Sequence, residues 1–125
     1  MKLEDLFTAS EYDEQKTVIE YCDNILHLPI YHIPNEGKRS TIAGARLLAI
    51  GLRPGFPDLC LPVAKGKYHS LYIEMKAKNG KVSKDQKYWL NILRAQGHAT
   101  AVCFGADEAI KLINNYLKLK EADNG

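Results

Sequence analysis

Long apolar runs, linkers, repeats and a cysteine framework are all missing from this 125-residue chain. No apolar stretch approaches the length that crosses a bilayer, and Met1-Lys2-Leu3-Glu4-Asp5 lacks a signal-peptide pattern, so an intracellular protein without a membrane role is expected. Cys22, Cys60 and Cys103 stand far apart among apolar neighbours. They suit buried free thiols in a reducing cytosol better than disulfides or a zinc site, and no His-Cys or His-His spacing adds support for zinc. Neither His32 nor His98 receives a role. Charge of one sign is also scarce, since 17 Lys and Arg against 15 Asp and Glu leave a net charge of +2. That balance neither demands nor excludes nucleic acid, because a local basic surface matters more than the total. Without a Pro/Gly/Ser-rich linker, the length fits one domain with a real core.

Periodicity supplies the elements. Ser10 can cap a first helix from Glu11 to about Leu26, with Val18, Ile19, Cys22, Ile25 and Leu26 as its apolar stripe. Pro29–Ile33 reads as a short strand and Pro34–Arg39 as a polar turn. A second helix is expected from about Ser40 to Ile50, closed by Gly51. Strands follow at Asp58–Leu61 and Tyr68–Ala77, joined through Lys65-Gly66-Lys67. After a turn at Asn79-Gly80, Ser83-Lys84-Asp85-Gln86 forms a capping box that opens a third helix to about Gln96, with Tyr88, Trp89 and Leu93 in its core. Thr100–Phe104 reads as a buried strand and Ala106 to about Lys118 as the last helix. The order αβαββαβα, with a hairpin-like pair and then a strand–helix–strand crossover, predicts a mixed α/β sheet flanked by helices.

The chemistry concentrates in Gly55-Phe56-Pro57-Asp58-Leu59-Cys60-Leu61 and Leu71-Tyr72-Ile73-Glu74-Met75-Lys76. Residues i and i+2 of a strand share a face, so Glu74 and Lys76 point one way while Leu71, Ile73, Met75 and Ala77 point into the core. Asp58 on a neighbouring strand would add a second carboxylate. Two hard oxygen donors beside an ammonium group can hold a divalent cation and cut a phosphodiester. Glu-x-Lys alone is weak evidence, because it also occurs at Glu14/Lys16 and Glu36/Lys38. Only the third copy lies in a strand pattern and follows the chain's single Pro-Asp; the competing reading is a solvated strand face of opposite charges.

Gly51-Leu52-Arg53-Pro54-Gly55-Phe56-Pro57-Asp58-Leu59, Ile73-Glu74-Met75-Lys76, Ser83-Lys84-Asp85-Gln86 and Gly97-His98 together resemble the VRR-NUC family of the PD-(D/E)XK nuclease superfamily, above all its stand-alone phage and prophage members. The resemblance runs from about Ser10 to Ala109. It implies a restriction-endonuclease-like core and a Mg2+- or Mn2+-dependent DNA endonuclease acting as a homodimer on branched DNA, in the manner of a Holliday-junction resolvase. It also implies a bacterial cytoplasmic setting. The extra DNA-binding domains of the large eukaryotic members are lacking, so their flap specificity does not transfer. Other readings are a less selective or nicking duplex nuclease, and a DNA-binding module that keeps the fold.

By the same resemblance Asp58 and Glu74 are metal ligands, joined by the Met75 backbone carbonyl. Lys76 orients the attacking water and offsets charge on the phosphate. The first-helix acid is Glu11 or Glu14: the family's Glu, three residues, Gln fits Glu11 and Gln15, while Glu14 adjoins Gln15. Gln86 is either only the capping-box residue or also an orienting group near the site. Asn35, Lys38, Arg39, Lys78, Lys81 and Lys84 are candidate DNA contacts, with Lys65, Lys67 and Lys87 as further basic positions.

Overall fold

The computed structural model describes residues 10–35 and 41–120. Eight elements follow in the expected order: α1 (Ser10–Tyr21), β1 (Tyr31–His32), α2 (Ile42–Ala49), β2 (Leu59–Leu61), β3 (Leu71–Lys76), α3 (Lys84–Ala95), β4 (Ala99–Phe104) and α4 (Ala106–Leu117). The four strands form one mixed sheet in the order β1-β2-β3-β4. β1 and β2, and β2 and β3, pair antiparallel, whereas β3 and β4 are parallel across the α3 crossover. Among the described residues no helix is long and apolar enough to cross a membrane.

The sheet separates two layers. On one face Val18 and Cys22 of α1 and Ala106, Ala109, Ile113 and Tyr116 of α4 close over Leu59, Leu61, Leu71, Ile73 and Cys103. Each fully buried aliphatic side chain there contributes about 2 kcal/mol. On the other face Phe56 packs edge-on against Tyr72 and Trp89, fastening the Pro57-Asp58 loop to the sheet and to α3. Ser83 caps α3 as expected: its hydroxyl accepts from the Gln86 amide while the Gln86 side chain accepts from the Ser83 amide. All three cysteines are buried and free.

Several boundaries differ from those the periodicity predicts. Ser10 is already inside α1, and the helix changes at Cys22–Leu26 into a π turn that ends at His27 in the left-handed region. That change rotates Ile25 out of the apolar stripe and exposes it. β1 holds two residues, not the five of Pro29–Ile33. α2 begins at Ile42 with Thr41 as its N-cap, and Ile50, not Gly51, is its C-cap, with Gly51 one residue beyond at φ +111°. β4 is an edge strand, half-buried except that Cys103 is buried and Phe104 exposed. Tyr88 is exposed, so the inner face of α3 consists of Leu90 and Leu93 with half-buried Trp89.

Candidate active site

Register brings the two carboxylates together. In the β2–β3 ladder Leu59 faces Ile73, Cys60 faces Tyr72 and Leu61 faces Leu71. One step further, where β2 begins, Asp58 stands opposite Glu74. Directly opposed residues of an antiparallel pair have Cβ atoms about 5 Å apart, and like charges there repel. The Asp58 carboxylate is pinned by the Met75 amide, which donates to Oδ2 at 2.9 Å. The Asp58 carbonyl accepts from the Ile33 amide at 2.7 Å.

Glu74 is not on a solvated strand face: it is 4% exposed, one of two buried polar residues in the chain's described part. Burial pushes its carboxyl up to about 9, helped by a hydrogen bond to Asp58 and the Asp58 charge; Lys76 opposes the shift and Glu11 adds slightly to it. Two carboxyl groups in contact, one of them desolvated, hold a proton unless a stronger cation replaces it. The oxygen donors of Asp58 and Glu74 therefore fit a hard divalent cation. Among the described residues no third His, Cys, Asp or Glu side chain converges on them. Further positions fall to a backbone carbonyl and to water, which suits an ion that keeps several waters.

Lys76 reaches past the turn formed by Ala77 and Gly80, where the Gly80 amide donates to the Ala77 carbonyl at 2.8 Å. A Cβ on Gly80 would lie 3.3 Å from the Lys76 Cδ, so the lysine stem rests on this turn. Beside it opens a cleft of about 580 Å³, lined by Glu11, Glu14, Lys76, Lys78, Phe104 and Glu108 among others. Asp58 and Glu74 do not line it; Glu74 stands two residues before Lys76 on the same strand.

The two first-helix acids separate. Glu14 reaches across to α4, where its Oε2 accepts from the Ala106 amide at 2.5 Å. Gly105, at φ +97°, has no side chain with which to cap α4, and Glu14 supplies the missing acceptor from 92 residues away. Both acids line the cleft, and Glu11 is the first-helix acid whose charge reaches Glu74.

Other predicted residues divide similarly. Gln86 turns its oxygen into the capping box, leaving only its amide hydrogens free of that bond. The Asn35 side chain donates to the Phe56 carbonyl, bracing the loop instead of presenting itself to solvent. Lys78, Lys81 and Lys84 are exposed around the Lys76 side of α3. Lys65 and Lys67 lie in the β2–β3 connection, at the opposite end of that hairpin from Asp58 and Glu74, with Lys67 over the Tyr68 ring. Lys38 and Arg39 fall outside the described residues.

One neighbour escaped the sequence reading. His32 Nδ1 lies 3.0 Å from the Asp58 carbonyl and 3.1 Å from the Gln15 amide nitrogen. One nitrogen cannot donate to the first and accept from the second, so these contacts belong to opposite tautomers. With Nδ1 protonated His32 braces the Asp58 carbonyl; with Nδ1 bare it accepts from Gln15 instead. Only the β1–β2 register, Tyr31 to Cys60 and His32 to Leu59, brings them there. His98 lies elsewhere, 2.6 Å from the Ser70 hydroxyl.

Comparison with known proteins identifies the family and the fold. The model of the VRR-NUC domain matches residues 10–107. A solved structure described as a VRR_NUC domain protein superposes with a TM-score of 0.77 at 28% identity, covering 91% of this chain and 93% of its own. No curated protein matches.

Proposed function

Because this chain belongs to the VRR-NUC family and its domain is that of a nuclease, we propose that it is a Mg2+- or Mn2+-dependent DNA endonuclease that cuts branched DNA, four-way junctions first, as a homodimer. The observation that carries the metal-dependent part is Asp58 opposite a buried Glu74, with Lys76 two residues along the same strand face.

When bound, a divalent cation supplies charge stabilisation at the scissile phosphate and a more acidic water. The chain's own groups do the rest. Asp58 and Glu74 hold the ion, and the Met75 amide fixes the rotamer of Asp58. Lys76 orients the attacking water and offsets negative charge as the phosphate becomes pentavalent. Glu11 is the first-helix acid nearest this chemistry, and Glu14 is the brace that docks α1 on α4. The Gln86 amide hydrogens can still reach a phosphate while its oxygen caps α3. Exposed Lys78, Lys81 and Lys84 provide phosphate contacts along one edge of the site.

Exposure of α2 supports the homodimer. Ile42 is 78% and Ile50 83% exposed, Leu47 is also exposed, and only Gly44 is buried. An eight-residue helix is too short to stand alone, and one with a single charge, Arg46, and so many exposed apolar side chains gains by being covered. A second copy packed on α2 completes that interior and gives two symmetric sites for paired incision.

The test is cleavage of labelled four-way junction, flap, linear duplex and single strand with Mg2+, Mn2+ or EDTA, beside Lys76→Ala and Glu74→Ala controls. Metal-dependent paired cuts in the junction, lost by about a hundredfold or more in both variants, are expected. Equal cutting of all substrates would leave the nuclease and remove the junction preference. Cutting in EDTA would remove the metal site.

A further inference from the structure

We propose that the outward face of α3 is a track for unpaired nucleotides, with Tyr88 stacking on a base and Lys84 and Lys87 neutralising the flanking phosphates. The proposal rests on the DNA nuclease reading above and names a part of the substrate that the site takes.

Helical spacing sets Lys84, Lys87, Tyr88, Asn91 and Arg94 on one exposed stripe, turned away from Leu90 and Leu93. The stripe carries three cations, with Asp85 alone at its edge. Lys84 and Lys87 make no ion pair among the described residues. The Arg94 guanidinium is held at the far end by Thr100 Oγ1 at 2.9 Å and Asn91 Oδ1 at 3.3 Å.

Tyr88 distinguishes this stripe from an ordinary solvated one. It is 60% exposed, yet its ring is braced edge-on against Trp89 at 5.3 Å. Trp89 in turn packs on Phe56 at 5.2 Å, directly before Pro57-Asp58. A ring held in place loses little freedom when a base stacks on it, so stacking there is favourable. Asp85 and Gln86 at the start of the helix lie against Gly55, closely enough that a Cβ on Gly55 would be 2.5 Å from Asp85 Cβ. The track therefore begins at the loop that carries Asp58. Tyr88 lies about 6 Å along the helix axis from Lys84, close to the reach of one nucleotide.

Lysines alone would bind duplex and single strand alike. A base inside a duplex hides its face between neighbours, so an exposed ring recognises bases that are unpaired, as in a single-stranded arm or a splayed branch. That chemistry selects unpaired nucleotides over a continuous duplex.

The experiment measures binding with Glu74→Gln protein in EDTA, where cutting is removed. Probes are a twelve-residue oligothymidine, a twelve-base-pair duplex and a fork with one single-stranded arm. Trp89 is the only tryptophan and touches Tyr88, so its fluorescence reports occupancy of the stripe. Oligothymidine and fork should change that fluorescence and bind about tenfold or more weakly after a further Tyr88→Ala change, with Tyr88→Phe retaining affinity. Lys87→Gln should lower the salt dependence for single strand by about 0.7 in log–log slope. Equal affinity of the Tyr88→Ala and parent proteins for oligothymidine overturns the track. If Mg2+-dependent cutting of duplex by the unaltered protein persists alongside that result, the nuclease reading stands and the track alone falls. Failure of the parent to bind any of the three DNAs overturns both.

Discussion

Asp58 and Glu74 face each other where the β2–β3 ladder opens, and burial together with the Asp58 carboxyl beside it pushes the Glu74 carboxyl up. The folded protein consequently favours a proton that the unfolded chain releases readily. Sequence spacing shows two acids; register turns them into a pair.

The pair makes stability depend on pH. Glu74 is raised from 4.5 to about 9 in the folded state. Between those values the folded form binds a proton that the unfolded form has lost, so stability is full below about pH 4.5 and falls as pH rises towards about 9. Glu74→Gln keeps the shape and removes the titration. In EDTA at pH 8 the variant should melt higher than the parent, and its melting temperature should decline less between pH 5 and 8. Millimolar Mg2+ or Mn2+ should raise the parent and leave the variant nearly unmoved. Parallel melting curves for the two proteins across that range would remove the coupled pair.

Glu11 and Glu14, three residues apart, should fail differently. Glu14→Ala strips the acceptor from the α4 amide and should cost about 1 kcal/mol, as loss of a helix cap does. Glu11 is exposed and bonds no amide among the described residues, so Glu11→Ala should shift stability by less than about 0.5 kcal/mol. It should instead slow cleavage per folded molecule. Thermal melts beside single-turnover cutting rates separate the two; the reverse pattern would exchange their roles.

How much of this was legible depends on range. Period-two spacing in Leu71–Lys76 and the Ser83–Gln86 capping box are local, and both stand in the structure as the sequence implies. The opposition of Asp58 and Glu74 is a register, set by pairing across a nine-residue connection. Glu14 on Ala106, and His32 on Asp58, are contacts between distant segments that no window of sequence contains. Glu74 is buried because its strand lies within a folded sheet, so its charge alone suggested solvent. Tyr88 was misplaced for a smaller reason: Trp89, Leu90 and Leu93 already fill the inward arc of α3, and Tyr88 lies outside it.

Gly55 holds the loop before Asp58 against α3. Its φ of +84° disfavours any side chain, and a Cβ would stand 2.5 Å from Asp85 Cβ and 2.8 Å from the Gln86 amide nitrogen. Gly55→Ala should therefore cost more than about 2 kcal/mol and displace Asp58, lowering cutting as well. Gly51→Ala is the matched control. At φ +111° it meets nothing within 4 Å, so only the backbone preference, about 1 kcal/mol, should be lost. Equal melting temperatures for the two variants would mean that the loop yields without cost.

Exposed Ile42 and Ile50 lead to the last prediction. Ile42 opens α2 and Ile50 caps its end eight residues on, so both belong to the exposed apolar surface of this segment. A carboxylate there would be harmless on a solvated helix but would meet its own copy across a two-fold axis if this surface closes a dimer. Light scattering at micromolar concentration should give a dimer mass for the parent and a monomer mass for Ile50→Glu. Circular dichroism should show the variant folded. Loss of the partner should also uncouple the two incisions of a four-way junction, so that a paired cut becomes single nicks while the rate per site on linear duplex changes little. A parent that is already monomeric and still makes paired cuts would defeat the symmetric model. An Ile50→Glu protein that remains dimeric would move the interface away from α2.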